Sequence, residues 1–267
     1  YEAFPGSWLM DQDGKVYNSS TSEGMKQSLE KMAEWFQEGI VDPQFGTRTW
    51  DDITALLTNG QLGIAFGPWH IPDWLLNNVR SMDPDADFSV MTICDENGKV
   101  NVTHSNANSG YMVVRKGYSN PEVLVKMANL FFDDIVNNKN LEAEAPEVSE
   151  YVKTVDNTAR PFQVEINSYT SLLDDYADIK NCVNGEITMD EVRTAESKTI
   201  VESVNRYLKE PEKADVTDWA KYTSRMGGIE LIESLTEKEQ FEWFSPVFFD
   251  ITETMKTNSA DLDKLQE

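Results

Sequence analysis

A tryptophan and a histidine that follow an apolar run are the residues of this sequence best suited to ligand chemistry. Residues 62–66 are apolar, a Gly-Pro pair ends the run, and Trp69 and His70 come next. The run predicts a buried strand, and Pro72 predicts the start of a helix. Open α/β sheets bind ligands at the carboxyl ends of their strands. A tryptophan there offers a flat face and an N–H donor to a sugar ring, although a large core residue beside a turn is equally compatible with the pattern.

Adjacent acidic residues are the candidates for a catalytic role. A glycosidase needs two carboxylates placed across a sugar bond. With 47 acidic residues, adjacent pairs arise by chance, and neighbours on a helix do not face each other. The sequence also has no recognisable nucleophile elbow and no phosphate-binding glycine loop. It therefore predicts no catalytic residue, and a glycoside hydrolase fragment stays as the alternative. The pairs are Asp51-Asp52, Asp133-Asp134 and Asp174-Asp175.

The elements around these residues alternate between helices and short strands, which predicts an α/β sheet. Ser20 and Glu23 have the spacing of a capping box and predict a helix with one buried stripe, which Gly39 ends. A shorter helix is predicted around residues 53–57, and in the helix after Pro72 the side chains of Trp74, Leu75 and Val79 are expected to face inward. Further strands are predicted over residues 88–93, 100–103 and 111–114.

The second half of the sequence predicts helices separated by a polar loop. Pro121 opens a helix with an apolar face that extends to Ile135. Residues 137–158 are polar and acidic, which predicts a loop with at most one turn of helix. Thr188 and Glu191 form a second capping box, at the start of a helix that runs to about residue 208. After a break at residues 211–215, the rest is predicted to be mostly helical and aromatic.

Composition excludes several classes of partner. The formal net charge is −24, which repels nucleic acid and anionic lipid at close range. No run approaches 18 apolar residues, so no membrane-spanning helix is predicted. Cys94 and Cys182 lack the spacing of a metal site and do not make a disulfide framework. We therefore expect no metal, no cofactor and no nucleic-acid partner.

An ordered series of short motifs resembles the solute-binding proteins of bacterial sugar ABC transporters. Within residues 6–74 these motifs are DGK between two strands, EGIVDP at a helix end, NGQ after a short helix, and GPW after a strand. Residues 108–132 resemble the hinge strand of the family and its following helix, and residues 184–192 resemble the start of a late helix. Residues 246–267 resemble the C-terminal extension of the large lipoprotein members from Gram-positive bacteria.

The resemblance implies a periplasmic-binding-protein-like type II lobe with a mostly helical C-terminal extension. The first lobe, the export signal and the lipid-bearing cysteine would then belong to a longer parent protein, of which this chain is expected to be the C-terminal portion. The implied segments are a second-lobe α/β core over residues 1–109, a hinge strand and first-lobe excursion over 110–160, a return to the second lobe over 161–208, and a helical extension over 209–267.

The same resemblance implies a function and a set of ligand-binding residues. The chain is expected to be the oligosaccharide-binding subunit of an ABC importer and not an enzyme, with sugar and membrane permease subunits as partners and a lipid-anchored, extracellular parent. Trp69 matches the stacking tryptophan of the family, with His70 as a donor to a ligand hydroxyl. Trp50 is expected near the cleft or in a helix-start core, and Asn108 is expected to bind a hydroxyl or to cap a turn. Leu172-Leu173 stand where the family has a second aromatic platform, and Tyr169 is the expected shifted equivalent of that platform. Trp8, Trp35 and Trp74 are assigned chiefly to packing.

Overall fold

The computed structural model describes residues 1–104, 112–138, 140–155 and 168–247. The chain is mixed α/β, with about 51% helix and two small sheets. It divides into two units, and the segment boundaries implied by the resemblance stay a prediction. The first unit contains Tyr1–Thr49, Met91–Tyr111 and Leu235–Glu267, and the second contains Trp50–Val90 and Met112–Ser234.

A hairpin opens the first unit. Strands β1 (Trp8–Met10) and β2 (Val16–Asn18) pair antiparallel, as expected for the DGK motif between them. The turn is tight because Asp11 Oδ1 accepts the backbone N–H groups of residues 13 and 15, at 3.0 and 2.8 Å. Gly14 has φ +77°, a left-handed conformation that favours glycine. Leu9 is the buried residue of this hairpin.

Helix α1 (Glu23–Gln37) follows, and two features of its prediction are wrong. Its N-cap is Ser22, whose side chain accepts the N–H of Met25, whereas the Ser20 hydroxyl accepts the N–H of Gly6. The expected buried stripe is reduced to Met25, because the later apolar residues of the helix are exposed. Gly39 ends the helix as predicted, with φ +75°.

Parallel pairing of distant segments forms the second sheet. Strand β3 (Val100–Thr103) is confirmed, and its partner is β4 (Phe241–Phe244), in a region predicted to be helical. Residues 62–66, 88–93 and 112–114 are all described and form no strand, so these three predictions are wrong, while Tyr111 lies outside the described residues. Ile64 and Phe66 are exposed, because no neighbouring strand pairs with this apolar run and covers it.

Helices dominate the second unit, and α10 continues into the first. The short connections include 3₁₀ turns at Ile71–Asp73 and Met189–Glu191 and π-helical segments at Phe132–Val136 and Ser224–Ile229. Among the described residues, no helix is both long and apolar enough to cross a bilayer. The helices are α2 (Trp50–Thr58), α3 (Leu76–Met82), α4 (Val123–Phe131), α5 (Leu141–Glu144), α6 (Pro146–Thr154), α7 (Ser171–Val183), α8 (Ala195–Lys209), α9 (Val216–Thr223) and α10 (Glu230–Glu237).

Hydrophobic clusters hold these helices together. The first joins α2, α3 and α9 around Leu75 and Trp219, and the second joins α7 and α8 around Ile179 and Val201. The third packs Phe131, at the end of α4, and the following π-helical segment against α5 and α6. The prediction of a loop over residues 137–158 is therefore wrong for the described part of this segment, which contains α5 and α6, while residues 139 and 156–158 lie outside the described residues. Leu141 and Val152 are apolar residues that stand among acidic ones. Their burial in this cluster stabilises the two helices.

The capping box predicted in the second half is present but opens a different element. Thr188 and Glu191 exchange their side-chain and backbone hydrogen bonds, and the result is a 3₁₀ turn. The long helix α8 begins at Ala195, where the hydroxyl of Thr194 accepts the N–H of Ser197 at 3.1 Å. The break at residues 211–215 is confirmed, since Asp215 caps α9.

Candidate functional site

Four aromatic residues of the second unit form a continuous set, which we call the tryptophan cluster: Trp50, Trp69, His70 and Trp74. The rings of Trp50 and Trp74 meet edge to face with centroids 5.1 Å apart, and those of Trp69 and His70 do so at 5.0 Å. The indole Nε1–H of Trp74 donates to His70 Nδ1 at 3.2 Å, which links the two pairs. Three of the five predicted site residues are thus brought together.

The local fold presents the cluster through a short turn and not through a strand end. Ile71 N–H donates to the carbonyl of Pro68, and the 3₁₀ turn Ile71–Asp73 follows with Pro72 in its first turn. Pro72 therefore opens a helical turn as predicted, although α3 itself begins only at Leu76. Leu75 is fully buried and fixes the turn to the core.

Accessible indole surface distinguishes the members of the cluster. Trp50 is 56% exposed and Trp74 is 39% exposed, while Trp69 and His70 are partly buried. The assignment of Trp74 to inward packing is therefore wrong. Its spacing of four residues from His70 was the signal for a shared helical face. Trp35, also assigned to packing, is as exposed as Trp74 but lies in the first unit.

The hydrogen bond from Trp74 fixes the tautomer of His70. A neutral histidine whose Nδ1 accepts carries its proton on Nε2. We expect this Nε2–H to be the donor for a ligand hydroxyl. Burial lowers the pKa of His70 below its ordinary value of 6.5, and the positive charges of Arg225 and Lys221 lower it further against the opposing effect of Asp73.

Protonation of His70 should destabilise the folded chain. The folded-state pKa is lowered, so stability is full above about pH 6.5 and falls as the pH decreases, because the unfolded chain binds the proton first. We expect the difference in unfolding free energy between the wild type and His70→Asn to shrink from pH 7.5 to pH 5, as measured by urea denaturation. The carboxylates that titrate in this pH range are present in both proteins, so their contribution cancels in the difference between the two unfolding free energies. A difference that does not change with pH would contradict the lowered pKa.

A polar network beneath the cluster joins the 3₁₀ turn to α9 and the π-helical segment Ser224–Ile229. Asp73 Oδ2 accepts from Arg225 Nη1 at 2.6 Å and lies 3.4 Å from Lys221 Nζ. Arg225 Nη1 also donates to Ser224 Oγ at 2.7 Å. Burial lowers the pKa of Lys221, and the Arg225 charge adds to this effect while Asp73 opposes it. Sequence reasoning missed this network because its partners lie about 150 positions apart.

The other predicted residues do not join the cluster in the described structure. Tyr169 is 89% exposed in the turn before α7, and Asn108 lies outside the described residues. Cys94 and Cys182 are free thiols. No group of potential metal ligands is found in the part of the chain that the structure describes.

One of the three acidic pairs lies in a perturbed environment. Burial raises the pKa of Asp175, and the charges of Asp178 and Asp174 raise it further against the effect of Arg193. Arg193 Nε donates to Asp178 Oδ2 at 2.7 Å, and its Nη1 lies 3.9 Å from Asp174 Oδ2. This arrangement is an ion-pair network at one surface of α7.

No known protein family, curated protein or solved structure matches the chain. A functional assignment therefore depends on the geometry of the tryptophan cluster and on the motifs of the sequence.

Proposed function

We propose that the chain binds carbohydrate through the tryptophan cluster, as the oligosaccharide-binding subunit of an ABC importer with a periplasmic-binding-protein-like lobe. The observation that carries this proposal is a pair of exposed indoles, Trp50 and Trp74, joined through His70 to the partly buried Trp69. Trp50 and Trp74 expose large aromatic surfaces, and the His70 ring lies within hydrogen-bond distance of Trp74. Stacking faces combined with a few fixed donors are what a sugar site needs, and no group has to be tuned for catalysis.

The transport role draws on the resemblance of the motifs. The DGK hairpin, the helix that Gly39 ends and the short helix α2 occur in the expected order before the GPW motif. We include in the proposal the permease subunits as partners, and a parent protein that is lipid-anchored outside the cell and contributes the first lobe. In such a protein the two lobes close on the ligand, and the closed form is the one that the permease recognises.

A glycoside hydrolase is the second candidate, and the raised pKa of Asp175 is the observation that favours it. A carboxyl whose pKa is raised by burial and by neighbouring carboxylates suits a general acid. The ion pairs of Arg193 with the neighbouring carboxylates give these groups a structural role instead. Long incubation with α- and β-linked oligosaccharides should release no reducing ends. Turnover that Asp175→Asn abolishes would establish the enzyme in place of the binding protein.

Replacement of Trp69 tests the proposed site. Trp69→Ala should weaken the binding of an oligosaccharide by about 1–3 kcal/mol, the range for truncation of a central aromatic anchor. Isothermal calorimetry measures the affinity, and circular dichroism verifies that the variant is folded.

Trp35→Ala is the matched control, because Trp35 is an exposed indole outside the tryptophan cluster. Its affinity should equal that of the wild type. Equal affinities for wild type, Trp69→Ala and Trp50→Ala would remove the tryptophan cluster from the binding site.

A further inference from the structure

The partly buried Trp69 packs against the π-helical segment Ser224–Ile229. The guanidinium carbon of Arg225 lies 4.9 Å from the centroid of the indole. Three residues later, Gly228 lies against the backbone of Trp69. A methyl group at position 228 would be 2.7 Å from the Trp69 carbonyl oxygen and 3.1 Å from its Cβ. One π-helical turn thus contacts both the ring and the backbone of the same tryptophan, and such turns are frequent at functional sites.

The position of Arg225 is fixed independently of the indole. Its side chain is 4% exposed, and Nη1 donates to both Asp73 Oδ2 and Ser224 Oγ. Its Nη2 also lies 4.0 Å from Glu196 Oε1. A planar guanidinium with its donors occupied in this way is a rigid support for an aromatic face.

We propose that Arg225 is a positioning residue for Trp69: its guanidinium covers one face of the indole and sets the orientation in which the opposite face stacks on a sugar ring. This inference rests on the proposed function for the identity of the ligand. Preorganisation of the ring lowers the ordering cost of binding, because the indole does not have to be immobilised by the ligand. Trp69 then has a single stacking face, while Trp50 and Trp74 provide the more exposed surfaces of the cluster.

Fluorine NMR on the chain labelled with 5-fluorotryptophan tests the orientation without any ligand. The chain has seven tryptophans, and the spectrum of Trp69→Phe assigns the resonance of Trp69. Arg225→Lys keeps the charge that pairs with Asp73 but removes the planar group. The resonance of Trp69 should shift and broaden in this variant. Arg206→Lys is the control, because Arg206 lies in the same unit and its guanidinium pairs with Asp218.

Sugar binding gives the second readout. With maltotetraose, cellotetraose and xylotetraose as probes, Arg225→Lys should weaken the affinity of any sugar that binds by about three- to tenfold, and should cause no further loss in the Trp69→Ala background, which lacks the ring. Failure of the unmodified chain to bind any of them would count against the proposed function. The resonance of Trp69 would still decide whether Arg225 holds the indole.

The glycine pair of the same segment provides an independent variant. Gly228→Ala should displace the resonance of Trp69, whereas Gly227→Ala should not, since among the described residues a methyl group at position 227 meets Val90 Cγ1 alone, at an unstrained 3.9 Å. If Arg225 covers the ring, the unmodified chain should show nuclear Overhauser contacts between the Arg225 δ protons and the indole protons of Trp69. Their absence, or a Trp69 resonance that is the same in Arg225→Lys as in the wild type, would overturn the proposal.

Discussion

Asp73→Ala is expected to lower the free energy of unfolding by about 3–5 kcal/mol, the range for a buried ion pair that loses one partner. The substitution leaves Arg225 and Lys221 in a poorly hydrated environment without their carboxylate. Lys221 can release its proton more easily than usual, because burial already lowers its pKa. Arg225 cannot do so, and its desolvation makes the largest part of the loss. Urea denaturation at pH 7 measures the change.

Asp218→Ala is the comparison that isolates this cause. Asp218 is also buried and accepts from Arg206 Nε and Nη2, but the side chain of Arg206 is 57% exposed. Its guanidinium can return to water when the carboxylate is removed, so the loss should be clearly smaller than for Asp73→Ala. Similar losses of unfolding free energy for Asp73→Ala and Asp218→Ala would show that the burial of the arginine left without its carboxylate does not determine the size of the loss.

Leu75→Ala is expected to lower the free energy of unfolding by about 2–5 kcal/mol. Leu75 is 0% exposed and packs in the cluster of α2, α3 and α9, where a truncated side chain leaves a cavity. Leu208→Ala is the control, because Leu208 is exposed on α8, and its loss should stay within about 0.5 kcal/mol. Denaturant unfolding of both variants gives the comparison, and a small loss for Leu75→Ala would mean that this core is loosely packed.

Helical features were predictable where local signals set them. The buried positions of Leu75 and Val79 and the capping box at Thr188 follow from spacing within one or two turns. The sheets were less predictable, because β3 pairs with a strand about 140 positions away. The pattern of an apolar run does not show whether a partner strand exists elsewhere in the chain. The helices α5 and α6 were not predicted, because their segment is mostly acidic and contains only a few apolar residues that become buried.

The aromatic residues of the candidate site were predictable from the sequence, but the charged residues that pack against them were not. The GPW motif and the helix start at Trp50 identified residues that the structure places in one cluster. Asp73 and Arg225 look like ordinary surface charges in the sequence, since their contact depends on the docking of α9 and the π-helical segment. Long-range ion pairs of this kind become visible only when the fold is known.

Calorimetric titration of the folded chain with neutral oligosaccharides is the decisive measurement for carbohydrate binding by the tryptophan cluster. We expect saturable binding of at least one of maltotetraose, cellotetraose and xylotetraose, accompanied by a shift of the fluorine resonances of Trp50 and Trp69 but not of Trp35. Heats that do not saturate for any of these sugars, together with unchanged resonances of Trp50 and Trp69 in a chain that circular dichroism shows to be folded, would contradict it.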